Sequence, residues 1–375
     1  MHLLRVQVPD FRGLKDIDIT FEKEFVPRIF PLGSQNGGGK STLLQLIFVL
    51  LHCSVDEEKK PFLQDLLQGF KINEGDEKIL AIIDIRDEKN IVNLKFYCNK
   101  FSFEAGADDL DEDINSEEII YICYFEKVKE TFSHDYEIRT ATELKCRFNN
   151  LNKKQAELFL DKVSHKIFLA APSTQVFLFL PPDSRKLLFS NSSNGDKNYY
   201  GILESARSKL KGLFTYDFLA VELLIESFKD ARDRDFKQAI KTGVYGNNYQ
   251  TLTNELNTFL GNKRINLDKD FAGVNFQLYN NGETIELYPE DLSHGELKRL
   301  SIYVWLKLRN IEDAIVLMDE IEIAFHPDWQ YQIISDLKEW APSNQYILAT
   351  HSYELCQALT PAHVKEIEPK LIKAV

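Results

Sequence analysis

Three consecutive glycines followed by a lysine, in "PLGSQNGGGKSTLL" at residues 31–44, constrain this chain more than any other feature. Glycines are poor residues for the interior of a strand or a helix. Here they lie between "VPRIF", which reads as a strand, and "LLQLIFVLL" (43–51), which reads as a buried helix. Strand, glycine loop and apolar helix together are the setting a phosphate-binding loop needs. Gly37, Gly38 and Gly39 carry no side chain to obstruct the backbone N–H groups that gather at a helix N-terminus, where an anion is favoured. Lys40 adds positive charge toward the β- and γ-phosphates, and the Ser41 hydroxyl is placed to ligate magnesium. Asn36 and Thr42 complete the candidate loop. The strict pattern G-x-x-x-x-G-K-[ST] asks for glycine at position 34, which is Ser34, with the glycine one place earlier at Gly33. Serine fits there if its backbone angles are ordinary, or if Gly33 absorbs the strain.

Around this loop the chain reads as mixed α/β. Residues 2–8 and 15–21 read as two strands joined at "DFRG", and alternating runs near 78–86, 90–98 and 118–126 read as a β-meander. Between the last two, "FEAGADDLDEDINSEE" carries eight acidic residues and no basic ones, which reads as a solvated loop rather than a metal site. A helix is expected over 152–166, then two apolar strands broken at Pro172–Gln175. From about 183 the composition shifts to three or four helical segments. Residues 201–243 carry eight basic and seven acidic side chains, a pattern that fits a solvated helix face or, as the second option, a DNA-contacting patch. A hairpin turning at Asn281-Gly282 follows. "AIVLM" (314–318) and "QYILA" (345–349) read as buried parallel strands separated by a helix near 328–340. The expected domains are 1–182, the N-terminal part of a nucleotide-binding head; 183–270, a helical insertion; and 271–375, the C-terminal part of that head.

Three further motifs carry chemistry. In "AIVLMDEIEIAFHP", Asp319 ends a buried strand where ligands bind in α/β sheets, placed to hold magnesium through water. Glu320 beside it is placed to orient or deprotonate an attacking water. "DLSHGELKRL" sets Ser293, Gly295 and Glu296 at a helix start, and Ser293 alone would read as an ordinary helix cap. "YILATHSYEL" places His351 just past a strand, where it could sense a γ-phosphate.

These four motifs in this order resemble the ABC-type ATPase superfamily: "SQNGGGKST" as Walker A, "LSHGE" as the signature, "DE" as Walker B and "ATHS" as the histidine switch. "DEIEIAFHPDWQ" followed by "ATHS" is similar to the RecF, structural-maintenance-of-chromosomes and overcoming-lysogenization-defect lineages, and to the ATPases of prokaryotic antiviral systems such as Septu. The resemblance covers residues 1–50 and roughly 270–355. It implies an α/β ABC-ATPase head, with a P-loop core sheet and an antiparallel β-subdomain, interrupted by a helical insertion. ATP and Mg2+ are the implied cofactors, with Glu320 and His351 as catalytic residues and Ser41 and Asp319 at the metal. Arg12 in "VPDFRG" matches an arginine that reaches the nucleotide in that lineage; a surface arginine in a turn is the alternative. Gln175 is a candidate for the glutamine that couples the site to the inserted region. The lineage also implies that two chains pair head-to-tail, each completing the other's site with Ser293 and Gly295.

The resulting expectation is an ATP-driven dimeric switch or motor subunit in antiviral defence or DNA maintenance, acting with a separate effector such as a nuclease. Nucleic acid is a further candidate partner. The alternatives are a transporter ATPase and a small-molecule P-loop kinase. The 253 residues from Lys40 to Ser293 count against the transporter, and a kinase needs neither signature nor histidine switch. The formal charge of −13 argues against a dedicated nucleic-acid binder. Five scattered cysteines point to a reducing, cytoplasmic setting with free thiols and no zinc site. The longest apolar run is too short to span a bilayer, no signal peptide is expected, and the 24 residues after His351 leave little room for an appended nuclease.

Overall fold

The computed structural model describes residues 1–34, 37–67, 70, 72–73, 75–88, 90–104, 119–128, 138–173, 175, 199–216, 219–268, 270, 273–280 and 283–367. In chain order these form β1 (His2–Phe11), β2 (Leu14–Thr20), β3 (Ile29–Gly33), α1 (Lys40–Cys53), α2 (Lys60–Leu67), β4 (Glu77–Asp87) and β5 (Asn90–Glu104). Next come β6 (Ile119–Val128), β7 (Ile138–Phe148), α3 (Lys153–Ser164), β8 (Ile167–Ala171), α4 (Tyr199–Lys209) and β9 (Leu213–Thr215). Then follow α5 (Leu219–Thr242), α6 (Asn248–Leu260), β10 (Lys263–Leu267), β11 (Val274–Asn280), β12 (Glu283–Leu287) and α7 (His294–Leu308). The chain continues through β13 (Ile315–Asp319), α8 (Pro327–Trp340), β14 (Gln345–Ala349), α9 (Tyr353–Gln357) and β15 (Lys365–Glu366). Two compact units result: Met1–Phe214 with Glu312–Glu322 and Pro342–Val375, and Thr215–Ile311 with Ile323–Ala341.

The first unit holds an antiparallel sheet ordered β2-β1-β4-β5-β7-β6. Its opening hairpin turns on Arg12 and Gly13, both at positive φ (47° and 94°), as a two-residue turn between right-twisted strands requires. The expected meander is corrected here. Residues 119–128 do not pair with β5; β7 lies between them, so β6 is the edge strand.

A second sheet is ordered β15-β3-β14-β13-β8-β9, and β15, β3, β14, β13 and β8 pair in parallel. β13 and β14 are buried at every position, as expected of parallel strands covered on both faces. One apolar cluster runs from the antiparallel strands through α1 to the parallel strands. Every residue of α1 from Leu43 to Cys53 is buried, which explains a helix with no polar face. Near its end His52 is buried: its ring bonds the Ser164 carbonyl (2.7 Å) and meets the Gly212 N–H (3.4 Å). Burial lowers its pKa to about 4, so the neutral ring donates from Nδ1 and accepts at Nε2.

In the second unit, α5 and α6 are joined by Asp235, whose carboxylate accepts the backbone N–H groups of Asn248 and Tyr249 (2.7 and 2.9 Å) and so caps the start of α6. A three-stranded sheet β10-β11-β12 follows. The stretch expected to be helical thus also contains β9 and β10, and β9 joins the parallel sheet. The Asn281-Gly282 turn, the acidic run 105–118 and the expected strand after Gln175 lie outside the described residues.

Candidate nucleotide site

The parallel register brings the expected motifs of the first unit together. Asp319 pairs with Ala349, and Ala349 with Leu32, so the ends of β13, β14 and β3 stand in one row. The order places the strand before His351 between the strand before Asp319 and the strand leading into the glycine loop. In open α/β sheets, the carboxyl ends of such strands are where ligands bind.

The loop itself has two left-handed glycines, Gly37 (φ 80°) and Gly39 (φ 86°). Gly39 precedes α1, and a Cβ there would lie 2.5 Å from Leu14 Cδ2, so the hairpin packs directly against the loop. Neither Gly33 nor Ser34 has positive φ. The missing glycine therefore leaves no strain to absorb. Ser34 has a role of its own: its carbonyl and hydroxyl oxygens both accept from Lys40 Nζ, at 3.1 and 3.0 Å. Lys40 is 6% exposed, and its Nζ also lies 3.4 Å from His351 Nδ1. Burial lowers the Lys40 pKa, while Glu322, Asp319 and Glu320 act to raise it. Asn36 lies outside the described residues; Ser41 and Thr42 occupy the first turn of α1.

Asp319 is 2% exposed and accepts a hydrogen bond from Ser41 Oγ at 3.0 Å. Burial raises its pKa to about 7, opposed by that bond. A hydroxyl and a carboxylate oxygen side by side suit a hard, oxygen-seeking cation such as Mg2+, which binds through one or two protein oxygens together with phosphates and water. Among the described residues no cluster of three or more His, Cys, Asp or Glu is arranged to hold a metal by protein groups alone. Glu320 has φ 51°, a left-handed angle unusual for a non-glycine residue. Its N–H bonds the Ala349 carbonyl (2.9 Å), tying the bent backbone to the neighbouring strand.

Gln175 lies shortly beyond β8, and its Oε1 accepts from Gln45 of α1 at 3.3 Å. That links it to the helix behind the loop. Arg12 sits at the hairpin tip, and its guanidinium donates to the Asp65 carbonyl of α2 (3.0 Å). Sequence reasoning missed Glu322. Its Oε1 accepts the His351 N–H at 2.7 Å. The available signal was a third acid in "DEIE", but its partner lies 29 residues away.

The signature lies in the second unit. Ser293 caps α7: its Oγ accepts the Glu296 N–H (3.2 Å), and the Glu296 carboxylate accepts the Ser293 N–H (3.0 Å), a reciprocal capping box. Lys263 pairs with Glu296. Gly295 is required sterically, since a Cβ there would stand 2.7 Å from the Ala324 carbonyl. Ser293, His294, Gly295, Ala324, His326 and Trp329 line an open cavity of about 400 Å³. Buried Lys298 donates to the Ile323 carbonyl (3.0 Å) and lies over the Tyr216 ring (4.0 Å).

The fold is an α/β P-loop head in which a parallel core sheet is joined to an antiparallel sheet. Residues 35–357 match the family described as "AAA domain, putative AbiEii toxin, Type IV TA system", and the chain belongs to that family. The expected ABC-type ATPase lineage is borne out at this level. The chain is similar to "Retron Vc95 probable ATPase" of Vibrio cholerae serotype O1 biovar El Tor, 41% identical over 54 residues, 14% of this chain and 10% of that protein. It is also similar to "Retron Ec83 probable ATPase" of Escherichia coli, 38% identical over 51 residues, 14% of this chain and 9% of that protein. These matches span about a tenth of the curated relatives' length. Among solved structures, the SMC head domain from Thermotoga maritima is 10% identical, with 96% of this chain and 92% of that chain covered and a TM-score of 0.43. The SmcHead bound to the C-winged helix domain of ScpA is 14% identical, with the same coverage and a TM-score of 0.42. Among the described residues, no helix is long and apolar enough to cross a membrane.

Proposed function

We propose that this chain binds and hydrolyses ATP as a dimeric switch subunit, driving a separate effector in antiviral defence or DNA maintenance. The observation that carries the reading is the 3.0 Å hydrogen bond from Ser41 to Asp319. It joins the glycine loop to the acidic strand end across 278 residues of sequence and presents two oxygens where Mg2+ would be held. Magnesium, when bound there, would neutralise charge developing on the phosphates. Lys40 and the Gly37–Gly39 backbone bind the phosphates. Glu320 takes the proton of the attacking water, and His351, beside Lys40, reads the terminal phosphate. Arg12, as a phosphate contact, Gln175, as the coupling glutamine, and Asn36, as a loop residue, are assigned to the same site by the lineage resemblance.

Ser293, Gly295 and Glu296 complete the site of a second copy. A capped helix start with an obligatory glycine offers backbone N–H groups to the phosphate held by the partner's loop. That feature favours the switch reading over a small-molecule kinase. The defence setting rests on similarity to the retron ATPases, and a nuclease is the kind of effector such a switch would gate.

The test has two arms. Lys40→Ala should abolish ATP binding, and equal affinity in that variant and the wild type would sink the assignment. Glu320→Gln should still bind ATP while turnover falls by about 10²–10⁴. Turnover at the wild-type rate would remove Glu320 as the base.

A further inference from the structure

Glu322 occupies an unusual position for a carboxylate. It lies three residues beyond Asp319 and two beyond Glu320, so three acids crowd one strand end. One oxygen, Oε1, accepts the His351 backbone N–H at 2.7 Å. The other, Oε2, is buried and has no hydrogen-bond partner among the described residues. A buried polar oxygen left unpaired costs free energy, and native proteins keep few of them. Glu322 is also the first of the three carboxylates that oppose the burial-driven lowering of the Lys40 pKa. The side chain thus touches the backbone of the histidine switch and acts electrostatically on the loop lysine.

We propose that Glu322 is a positioning residue for ATP turnover, clamping the turn after β14 so that the His351 ring is held beside Lys40. At 2.7 Å the bond is short and direct. It fixes the turn at His351, whose ring Nδ1 stands 3.4 Å from Lys40 Nζ. Ser352 secures the other side of the turn, its Oγ accepting the Leu355 N–H at 2.9 Å as the cap of α9. His351 itself is exposed, so its ring is only partly enclosed, and the backbone clamp sets where the ring can reach. Losing the clamp should slow the chemical step with little effect on nucleotide binding, which the loop performs.

This inference rests on the ATPase reading above, and its test separates the two. Glu322→Met fills the same space without an acceptor; Glu322→Gln keeps an oxygen for the His351 N–H. ATP turnover is measured for both, in the wild-type background and in His351→Ala. In the wild-type background, Met should lower kcat by about 10- to 100-fold with KM changed less than about threefold, while Gln should stay within about threefold of wild type. In the His351→Ala background, both substitutions should change kcat by less than about twofold, because the clamp acts through His351. Wild-type kcat in Glu322→Met overturns the inference, as does an undiminished Met penalty in His351→Ala. If Met does not fold, as judged by its thermal transition, Gln decides alone: a loss above about tenfold with intact folding overturns the clamp. Absence of turnover in the wild type overturns the ATPase reading and this inference with it. Normal wild-type turnover that depends on Glu320, together with an inert Glu322, overturns this inference alone.

Discussion

Gly39→Ala should damage the loop in two separable ways. Gly39 is held at φ 86°, where an L-residue costs about 1–2 kcal/mol. The new methyl would also stand 2.5 Å from Leu14 Cδ2. That methyl ends a side chain, but Leu14 is 1% exposed and cannot swing away without displacing its neighbours. Overpacking of this kind costs about 1–3 kcal/mol. If both penalties fall on the loop geometry that binds phosphate, ATP affinity should drop by about 2–5 kcal/mol, or roughly 30- to 4,000-fold. Adding Leu14→Ala removes the overlapping methyl and leaves only the backbone penalty, so the double variant should recover affinity to within roughly 30-fold of wild type. Fluorescent-nucleotide titration of the folded fraction is the assay, because Leu14→Ala by itself costs about 2–5 kcal/mol of fold stability and would confound a melting curve. Wild-type affinity in Gly39→Ala, or a double variant no better than the single, would refute the contact between hairpin and loop.

Two further outcomes follow from the same geometry. Ser34→Gly removes one of the two Ser34 oxygens that hold Lys40 but not the carbonyl, so ATP affinity should change by about 1 kcal/mol, less than about tenfold; a larger loss would mean the hydroxyl serves the nucleotide itself. His52 carries a pH signature: its folded pKa of about 4 lies below the ordinary value of 6.5, so above pH 6.5 it is neutral in both states. Below pH 6.5 the unfolded chain takes up the proton first, and stability falls as pH drops toward 4, by roughly 3 kcal/mol in total. His2, also lowered to about 4, contributes its own slope. Denaturant melts between pH 7 and 4 should therefore show a smaller loss in His52→Gln than in wild type, and equal losses would contradict the buried neutral ring.

Much of the site was legible because its parts are local. The glycine triplet, the apolar run within α1 and the acids ending β13 each declare themselves within ten residues. Gly39 and Gly37 have the left-handed angles that glycine alone takes freely. Ser34 was legible as a departure but not as a lysine ligand, because its hydroxyl acts on a side chain six residues away through folded geometry. Glu322 was hidden for the same reason over a longer distance. The placement of β7 between β5 and β6 was also beyond local reading: every strand of an antiparallel sheet alternates alike, so periodicity gives a strand its faces and not its neighbours. β9, three residues long, offers too little pattern to read.

The proposal that each ATP is shared between two chains is tested most directly by mixing two inactive variants. Lys40→Ala lacks the cation of the phosphate loop, and Ser293→Arg places a long side chain at the capped start of α7. Each should be inactive as a homodimer. In a mixed dimer, the intact loop of the Ser293→Arg chain faces the intact signature of the Lys40→Ala chain, leaving one sound site of two. ATP turnover measured after the chains have exchanged should return to a substantial fraction of the per-site wild-type rate. Full ATP turnover by the Ser293→Arg homodimer would contradict the shared site, and no recovery on mixing, with exchange verified, would contradict it equally.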